Sequence, residues 1–437
     1  MKLLLIKLFL FFVFSGLNGQ LVYDLDACIK TGLEKNFSIL IARNSETIAK
    51  NNYTVGNAGF LPSFDITGSH GGNVTDIKRN LTDGIQTVSN GEFNTTTTAG
   101  LSMNLTIFNG FNVQTTYKKL NELKQIGELN TQMSIENLVA DIIVGYYSYI
   151  QHLELLNNLK YAVELSKERL RIDEERYLLG SSSKLQVLQS RVYLNADSSR
   201  LSRQYEVVRE AQIRLNELMV VEDLGQSFTA KDSSVTVNPD LLFEKLLEET
   251  LSRNTTLLIA AKNKAISEYD YKIIKSRSYP YLSASSAYNY SVNTFTANQA
   301  RSQFTNGLNY GLTFGVNIFD GLNQRRNIRN SSIDIKNKEL QYQEIEQGVK
   351  ADLITIYSAY SNYLRLIELE TQNLQTASEN LVIAMERYKL GNLSGIDLRD
   401  VQKSRLDARE SLLLVESQAK LAEISLLLIS GRIMDYF

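Results

Sequence analysis

The chain has 437 residues but only 3 Pro, 1 Cys, 2 His and no Trp. Proline usually makes up about 5 % of a protein. Its scarcity here favours long uninterrupted helices, because an interior proline removes a backbone hydrogen bond and clashes with the preceding turn. One cysteine and two histidines far apart in sequence, His70 and His152, exclude a His/Cys zinc site and disfavour a disulfide framework, a redox centre and a Cys–His nucleophile pair. We therefore expect no cofactor, no metal and no enzymatic activity.

An excess of charge of one sign is also lacking. The chain has 46 basic and 48 acidic residues and a net charge of −2. Without a basic excess, nothing indicates a nucleic-acid partner. At about 150 residues per domain, the length suggests two or three domains.

The N-terminus has the layout of a secretory signal peptide. Lys2 and Lys7 precede the apolar run Leu8–Phe14, and small residues follow up to Gly19. This pattern predicts a signal peptide over residues 1–19 and export of the mature chain. No later apolar run approaches the ~18 residues that a spanning helix needs.

Cys28 can be interpreted in two ways. The segment Leu25-Asp26-Ala27-Cys28 superficially resembles a lipoprotein processing box. However, it lies well beyond the apolar run of the signal peptide and contains an acidic residue. The favoured interpretation is a small apolar residue on the buried face of a helix, together with Leu25, Ile29 and Leu33.

The chain contains an internal two-fold repeat. Three features recur in the same order: Pro62 and Pro280; Ile107-Phe108-Asn109-Gly110 and Ile318-Phe319-Asp320-Gly321; Arg176-Tyr177-x-Leu179-Gly180 and Arg387-Tyr388-x-Leu390-Gly391. The offset is 218 positions for the prolines and 211 for the later motifs. The repeats predict a first half over residues 20–225, a linker over 226–238 and a second half over 239–437.

Each half contains a long stretch that lacks proline. From Gly110 to Gly180, and again from Gly321 to Gly391, about 70 residues would span about 105 Å as continuous helix. Apolar and aromatic side chains recur there every three or four residues, as in Leu353, Tyr357, Tyr360, Leu364 and Ile367. This spacing predicts coiled-coil-like helices that turn at the second glycine of each stretch and return.

Four segments that alternate with period two lie within residues 62–109 and 280–320. Leu101, Met103, Leu105 and Ile107, for example, alternate with small polar residues. The pattern is typical of transmembrane barrel strands, although a half-buried sheet of a soluble domain alternates in the same way. Export and the lack of charge inside these strands favour the membrane. The polar stretches 76–94 and 293–306 are expected to form external loops.

Four strands cannot form a barrel alone. Backbone groups in lipid must all be paired, so a barrel has to close, and known outer-membrane barrels start at about 8 strands. Several chains must therefore share one barrel, with 12 strands for a trimer or 8 for a dimer.

The signal peptide, the repeat, the Phe-Asn/Asp-Gly motif at each strand exit and the Arg-Tyr-x-x-Gly motif at each helical turn together resemble TolC-like outer-membrane efflux and secretion channels. The resemblance covers nearly the whole mature chain. It implies a mainly helical fold with a β-barrel portion, built as a homotrimer with a 12-stranded barrel in outer-membrane lipid and a helical tunnel across the periplasm. It also implies that a periplasmic adaptor (membrane fusion protein) and an inner-membrane pump of the RND or ABC type act with the channel.

Both helical turns carry candidate binding residues. Glycines end the first helix of each pair, and Ser183 and Ser394 begin the next helix in a capping-box pattern. These residues can simply form tight turns, and the resemblance additionally implies that they contact the adaptor. The residues concerned are Leu179, Gly180, Ser181, Leu390, Gly391 and Asn392.

Asp397 and Asp400 are the candidate constriction. Spaced i, i+3, they share one helix face, and they match the paired aspartates of the family's periplasmic gate. Three copies of each would form two acidic rings that favour cations. Asp397 can alternatively act only as a helix cap. Tyr388 matches a residue that helps to hold the family's closed state, but its usual ionic partners are replaced by Leu393 and Gln186.

The sequence therefore predicts a passive exit duct without catalysis. The alternative is a non-conducting coiled-coil protein with a structural or adhesive role in the cell envelope. The sequence does not identify the cargo among drugs, metals and proteins, because the pump selects it.

Overall fold

The computed structural model describes residues 21–296 and 300–436, so the signal peptide predicted at 1–19 lies outside the described residues. The helices are α1 (Leu25–Lys35), α2 (Phe37–Asn52), α3 (Val55–Ala58), α4 (Asn112–Leu178), α5 (Lys184–Met219), α6 (Phe243–Arg253), α7 (Thr255–Ser276), α8 (Asn323–Lys389) and α9 (Gly395–Ile429). The strands are β1 (Leu21–Tyr23), β2 (Ser63–Asn80), β3 (Gln86–Asn109), β4 (Phe228–Ala230), β5 (Tyr281–Phe295) and β6 (Ser302–Gly315). A short 3₁₀ helix, Ile433–Tyr436, follows α9.

The two-fold repeat is present in the helices. Helices α4 and α8 both have 67 residues and are offset by 211 positions (323 − 112 and 389 − 178). The returning helices α5 and α9 have 36 and 35 residues. The expected class, mainly helical with two repeated helical hairpins and four longer strands, is confirmed. Among the described helices, none is apolar over a long enough stretch to cross a bilayer.

The chain divides into two compact units. One contains the described residues up to Arg43 together with Asn130–Leu258 and Ile345 onward, and the other contains Asn44–Leu129 and Ile259–Glu344.

The second unit contains a four-stranded antiparallel sheet with the order β2-β3-β5-β6. Pro62 and Pro280 directly precede β2 and β5, where a missing N–H costs no ladder hydrogen bond. Within the described residues, β2 and β6 each pair on one side only. The sheet of one chain is therefore open, with an edge strand at each end.

One face of this sheet carries exposed apolar rows. Ile66, Leu101, Tyr288 and Leu308 lie directly opposite one another across the four strands, and all four are exposed. In the register of the opposite face, Thr67 pairs with Gly100, which pairs with Asn289 and then Gly307. The alternation predicted from sequence therefore produces one apolar and one polar face.

The strands extend further into the predicted loops than we expected. Strand β2 continues to Asn80 and β3 already begins at Gln86, so the stretch 76–94 is mostly strand and not loop. The expected lack of charge inside the strands is therefore wrong, since β2 and β3 contain Asp65, Asp76, Lys78, Arg79 and Glu92. Likewise, β5 reaches Phe295 and β6 begins at Ser302, whereas residues 297–299 lie outside the described residues. The threonines 95–98 show no apolar alternation, but β-branched side chains favour extended backbone.

Each long helix begins at the Asn/Asp-Gly motif. Gly110 and Gly321 have φ of 66° and 70°, which is the left-handed region that glycine adopts without strain. A Cβ at Gly110 would also lie 2.4 Å from the Ser276 carbonyl oxygen. The side chain before each glycine caps the helix, because Asn109 Oδ1 accepts from Val113 N (3.3 Å) and Asp320 Oδ2 from Gln324 N (2.7 Å). In the first half the pair lies at the strand exit, because β3 ends at Asn109 and α4 begins at Asn112. In the second half β6 already ends at Gly315, so the prediction that Asp320-Gly321 lies at the strand exit is wrong there.

The main core lies in the first unit, where tyrosines bind the linker. Tyr146 Oη donates to Asp232 Oδ2 at 2.9 Å and Tyr149 Oη to the Phe228 carbonyl at 3.1 Å. The equivalent tyrosines of the second half, Tyr357 and Tyr360, donate to the carbonyls of Leu241 and Asn238. The same tyrosine pair of each half therefore binds the linker or, in the case of Tyr357, the residues directly after it. Strand β4 of the linker also pairs in parallel with β1.

Cys28 lies in this core. It is buried in α1, and burial raises the pKa of its thiol to about 12. This agrees with the favoured interpretation of Cys28 as a small apolar residue on the buried face of a helix.

A buried ion pair lies near the C-terminus. Lys420 Nζ donates to both carboxylate oxygens of Glu423 at 3.0 and 3.1 Å, and the ammonium lies 4.9 Å from the ring centroids of Tyr147 and Tyr436. The Asn238 backbone N–H also donates to Glu423. Burial lowers the pKa of Lys420, although Glu423 favours its charged form.

Replacing Lys420 by Met should destabilise the protein, because Glu423 would remain buried without its counter-charge. Breaking a buried pair in this way costs about 3–5 kcal/mol. Thermal unfolding of the purified protein measures the loss as a lower midpoint. Lys403→Met removes an exposed charge from the same helix and should change stability by less than about 0.5 kcal/mol. Equal midpoints for the two variants would show that the buried pair contributes nothing.

Candidate functional site

The two helical turns have the same backbone geometry. Gly180 and Gly391 have φ of 76° and 83°. Gly180 N–H donates to the Tyr177 carbonyl and Ser181 N–H to the Arg176 carbonyl. In the second turn Gly391 N–H donates to the Tyr388 carbonyl and Asn392 N–H to the Arg387 carbonyl. This is the Schellman arrangement. The Arg-Tyr-x-x-Gly motif is therefore a helix stop in which the Arg and Tyr carbonyls accept the closing bonds.

Serines begin the returning helices, as expected. Ser183 Oγ accepts from Gln186 N at 3.3 Å, and Ser394 Oγ accepts from Asp397 N at 3.1 Å. The second cap is reciprocal, because Ser394 Oγ also donates to Asp397 Oδ2 at 2.7 Å. In the first turn the Gln186 side chain instead accepts from Ser182 Oγ.

The turn residues predicted to bind an adaptor are exposed. Leu179 and Leu390 are 83 % and 75 % exposed, and Gly180, Ser181, Gly391 and Asn392 are exposed as well. Both leucines therefore present apolar surface to the solvent, where no packing within the described part of the chain explains them.

Tyr388 is buried next to the turns, and its hydroxyl contacts a residue that the sequence analysis did not predict as its partner. Its Oη donates to Asp173 Oδ1, and Ser190 Oγ donates to Asp173 Oδ2. Arg176 donates to the Tyr388 carbonyl and lies 4.8 Å from the Tyr388 ring centroid. Burial, followed by the contact with Asp173, raises the pKa of Tyr388 to about 12.

A small apolar cluster surrounds this tyrosine. Ile172 of α4, Ala384 and Tyr388 of α8, and Leu398 of α9 are all buried and pack together. The cluster joins the two helical hairpins close to their turns.

An ion pair joins the returning helices. Arg399 of α9 donates to both carboxylate oxygens of Asp197 in α5 at 2.7 and 2.9 Å, and Ser166 Oγ of α4 donates to Asp197 at 2.5 Å. The contact with Asp197 raises the pKa of Arg399. Such bidentate pairs fix geometry more tightly than single contacts.

The candidate constriction residues have different surroundings. The Asp397 carboxylate is exposed and accepts a hydrogen bond from the hydroxyl of Ser394, the residue that caps α9. Asp400 is exposed on the same helix, and among the described residues its carboxylate has no hydrogen bond or ion pair. The Asp397 side chain therefore helps to cap α9. The Asp400 side chain has no comparable structural role within the described residues.

Two of the contacts near the turns join residues far apart in sequence. Asp173 and Tyr388 are 215 positions apart and Asp197 and Arg399 are 202 apart. Only Arg169 and Asp173, spaced i, i+4 on α4, offered a local signal. Across residues 21–296 and 300–436, no group of His, Cys, Asp or Glu is arranged to hold a metal ion.

The sequence and the fold both have recognisable relatives. The profile of the outer membrane efflux protein family matches residues 28–219 and 246–432. No curated protein sequence matches the chain.

Solved structures of outer-membrane channels share the fold. The CmeC outer membrane channel of Campylobacter jejuni is 16 % identical, with a TM-score of 0.74 over 93 % of this chain and 85 % of that one. The outer membrane protein VceC of Vibrio cholerae is 16 % identical, with a TM-score of 0.74 over 93 % and 96 %. The MtrE outer membrane channel of Neisseria gonorrhoeae, solved in its open state, is 14 % identical, with a TM-score of 0.70 over 94 % and 89 %.

Replacing Asp197 by Asn should loosen the helical turns, because Arg399 would lose its counter-charge in a largely buried position. We expect amide hydrogen exchange over residues 169–200 and 385–405 to accelerate by at least about tenfold. Hydrogen–deuterium exchange with mass spectrometry measures this. The matched control is Glu174→Gln, which breaks an exposed pair with Arg191 and should change little. Unchanged exchange in Asp197→Asn would show that the pair does not hold the turns.

Proposed function

The chain belongs to the outer membrane efflux protein family and is an outer-membrane exit duct, and we propose that three copies form the duct together. The observation that supports this assembly is the open sheet of one chain. Its apolar face suits contact with lipid tails, but the free edges of β2 and β6 would leave backbone groups unpaired in a membrane.

Pairing β2 of one copy with β6 of the next would satisfy both edges. Three copies with four strands each would give a closed barrel of 12 strands, which lies within the range of known outer-membrane barrels. The apolar rows would then face the lipid and the polar rows the lumen. The helices would continue this duct as a tunnel into the periplasm.

Transport through the duct would be passive. The pump, of the RND or ABC type, would supply the energy from the inner membrane, and a periplasmic adaptor would connect it to the helical turns. The exposed Leu179 and Leu390 support the turns as the adaptor contact, because paired apolar tips beside glycine turns offer surface for a partner. Whether the cargo is a drug, a metal or a protein would depend on the pump.

Asp397 and Asp400 would form the constriction. Their carboxylates are exposed on the first two turns of α9, so three-fold symmetry would produce two acidic rings. Rings of this kind attract cations and repel anions. Because Asp400 lacks an intrachain partner among the described residues, its charge would be the more available of the two.

The closed state would be held by contacts other than the family's usual ionic link. Leu393 and Gln186 occupy the positions of that link. The bond from Tyr388 to Asp173 and the pair Arg399–Asp197 connect the same two hairpins and would replace it.

Purified protein should form discrete, cation-selective channels in planar lipid bilayers. Replacing Asp397 and Asp400 by Asn should lower the cation preference, measured as the reversal potential in a KCl gradient, because both acidic rings lose their charge. The control is Glu386→Gln, which removes an exposed carboxylate that pairs with Lys389 near the same turn.

Two outcomes of the bilayer experiment would contradict parts of the proposal. The absence of discrete conductance would favour the non-conducting coiled-coil alternative. Conductance with unchanged selectivity in the double variant would show that Asp397 and Asp400 do not form the constriction. The protein would still be a conducting duct.

Replacing Leu179 and Leu390 by Asp should weaken adaptor binding without changing conductance, because charge would replace the apolar tip surface. Recovery of the adaptor with the purified channel, measured after cross-linking in cells, should fall at least about tenfold. Leu242→Asp, at a leucine that is 68 % exposed before α6, is the matched control. Equal recovery for all three proteins would show that the adaptor binds elsewhere.

A further inference from the structure

A cavity lies beside the two helical turns, at the Arg169 side chain. Its volume is about 650 Å³, and its wall includes Arg169, Asp173, Ser182, Gln186 and Gly395. Because a water molecule occupies about 30 Å³ in the liquid, the cavity has room for a small solute together with several waters.

Arg169 is a buried cation, and two of its three guanidinium nitrogens have no hydrogen-bond partner among the described residues. Its side chain is 4 % exposed, and the two nitrogens are Nε and Nη1. An arginine has five N–H donors and cannot lose its charge in a protein. Burying such a group without hydrogen bonds is costly.

Asp173 balances this charge only in part. The Arg169 Nε lies 3.9 Å from Asp173 Oδ2, beyond hydrogen-bond distance. Both oxygens of Asp173 already accept hydrogen bonds from hydroxyls, one from Tyr388 and one from Ser190. The Tyr388 hydroxyl also interacts with the Arg169 side chain. The guanidinium lies 5.0 Å from the Tyr193 ring centroid, and the Arg399 guanidinium lies at the same distance from that ring.

Two helix N-termini add positive potential at the same place. Helices α5 and α9 begin at Lys184 and Gly395, and Ser182, Ser183, Gly395 and Ile396 line the cavity. N-terminal ends of helices attract anions through their free N–H groups and their dipoles. A Cβ at Gly395 would lie 2.9 Å from Arg169 Nη2, so a larger residue at this position would crowd the guanidinium.

We propose that this cavity binds a small oxyanion of the phosphate type, with Arg169 as its principal ligand. The unused guanidinium donors would bind the oxygens, and the serine hydroxyls and first-turn N–H groups of the returning helices would complete the site. Arginine suits this chemistry because its planar donors match oxyanion geometry. The site is a property of one chain and does not depend on conduction.

Equilibrium dialysis with radiolabelled inorganic phosphate tests the site directly. The full-length protein is used in a nonionic detergent at constant ionic strength. Wild-type protein should bind phosphate saturably, with one site per chain. Arg169→Gln should weaken binding at least about tenfold, because charge-assisted hydrogen bonds are lost.

A second variant at the cavity and a control variant outside it complete the experiment. Gly395→Ala retains the arginine but places a methyl group against it, so binding should again weaken, even if Arg169→Gln fails to fold. Arg171→Gln removes an exposed charge from the same helix, where Arg171 is paired with Glu168 and Glu175, and should bind as wild type does. No saturable binding to wild type, or equal loss in Arg169→Gln and Arg171→Gln, would overturn the proposal.

Discussion

The pairing of backbone hydrogen-bond groups is the constraint on which the rest of this structure depends. In lipid an unpaired N–H or C=O costs several kcal/mol, so a sheet that enters a membrane needs a partner at both edges. One chain supplies four strands in the order β2-β3-β5-β6, and within the described residues β2 and β6 have a neighbour on one side only. The side chains also require a partner, because one face of the sheet carries an exposed apolar row: Ile66, Leu101, Tyr288 and Leu308. Assembly of several copies into one barrel would pair the strand edges and place the apolar face against lipid.

The two helical hairpins are held together by side-chain contacts and not by backbone pairing. The hairpins meet near their turns through a small apolar cluster, a buried tyrosine and a bidentate ion pair. The cost of burying Asp173 and Asp197 is offset because each carboxylate accepts at least two hydrogen bonds. Polar contacts of this kind depend on geometry, so small displacements weaken them more than they weaken an apolar contact.

Much of the architecture could be predicted from the sequence, because it depends on local chemistry. Pro62 and Pro280 mark the start of a strand in each half, and Gly180 and Gly391 mark helix ends that only left-handed backbone can form. The lengths of β2 and β3 were underestimated, because the threonine run 95–98 and the polar residues around it have no apolar alternation. The contacts of Tyr388 and Arg399 could not be predicted, since their partners lie more than 200 positions away and no periodic pattern links them. The candidate roles of Asp397 and Asp400 remain predictions that came from motif position alone.

The central claim is that the open sheet is completed by identical copies, and the number of copies tests it most directly. Native mass spectrometry of the purified full-length protein, released from detergent micelles, measures that number. The account predicts a single dominant species of three chains, which gives 12 strands. A dominant monomer, or an assembly with another number of copies, would contradict it.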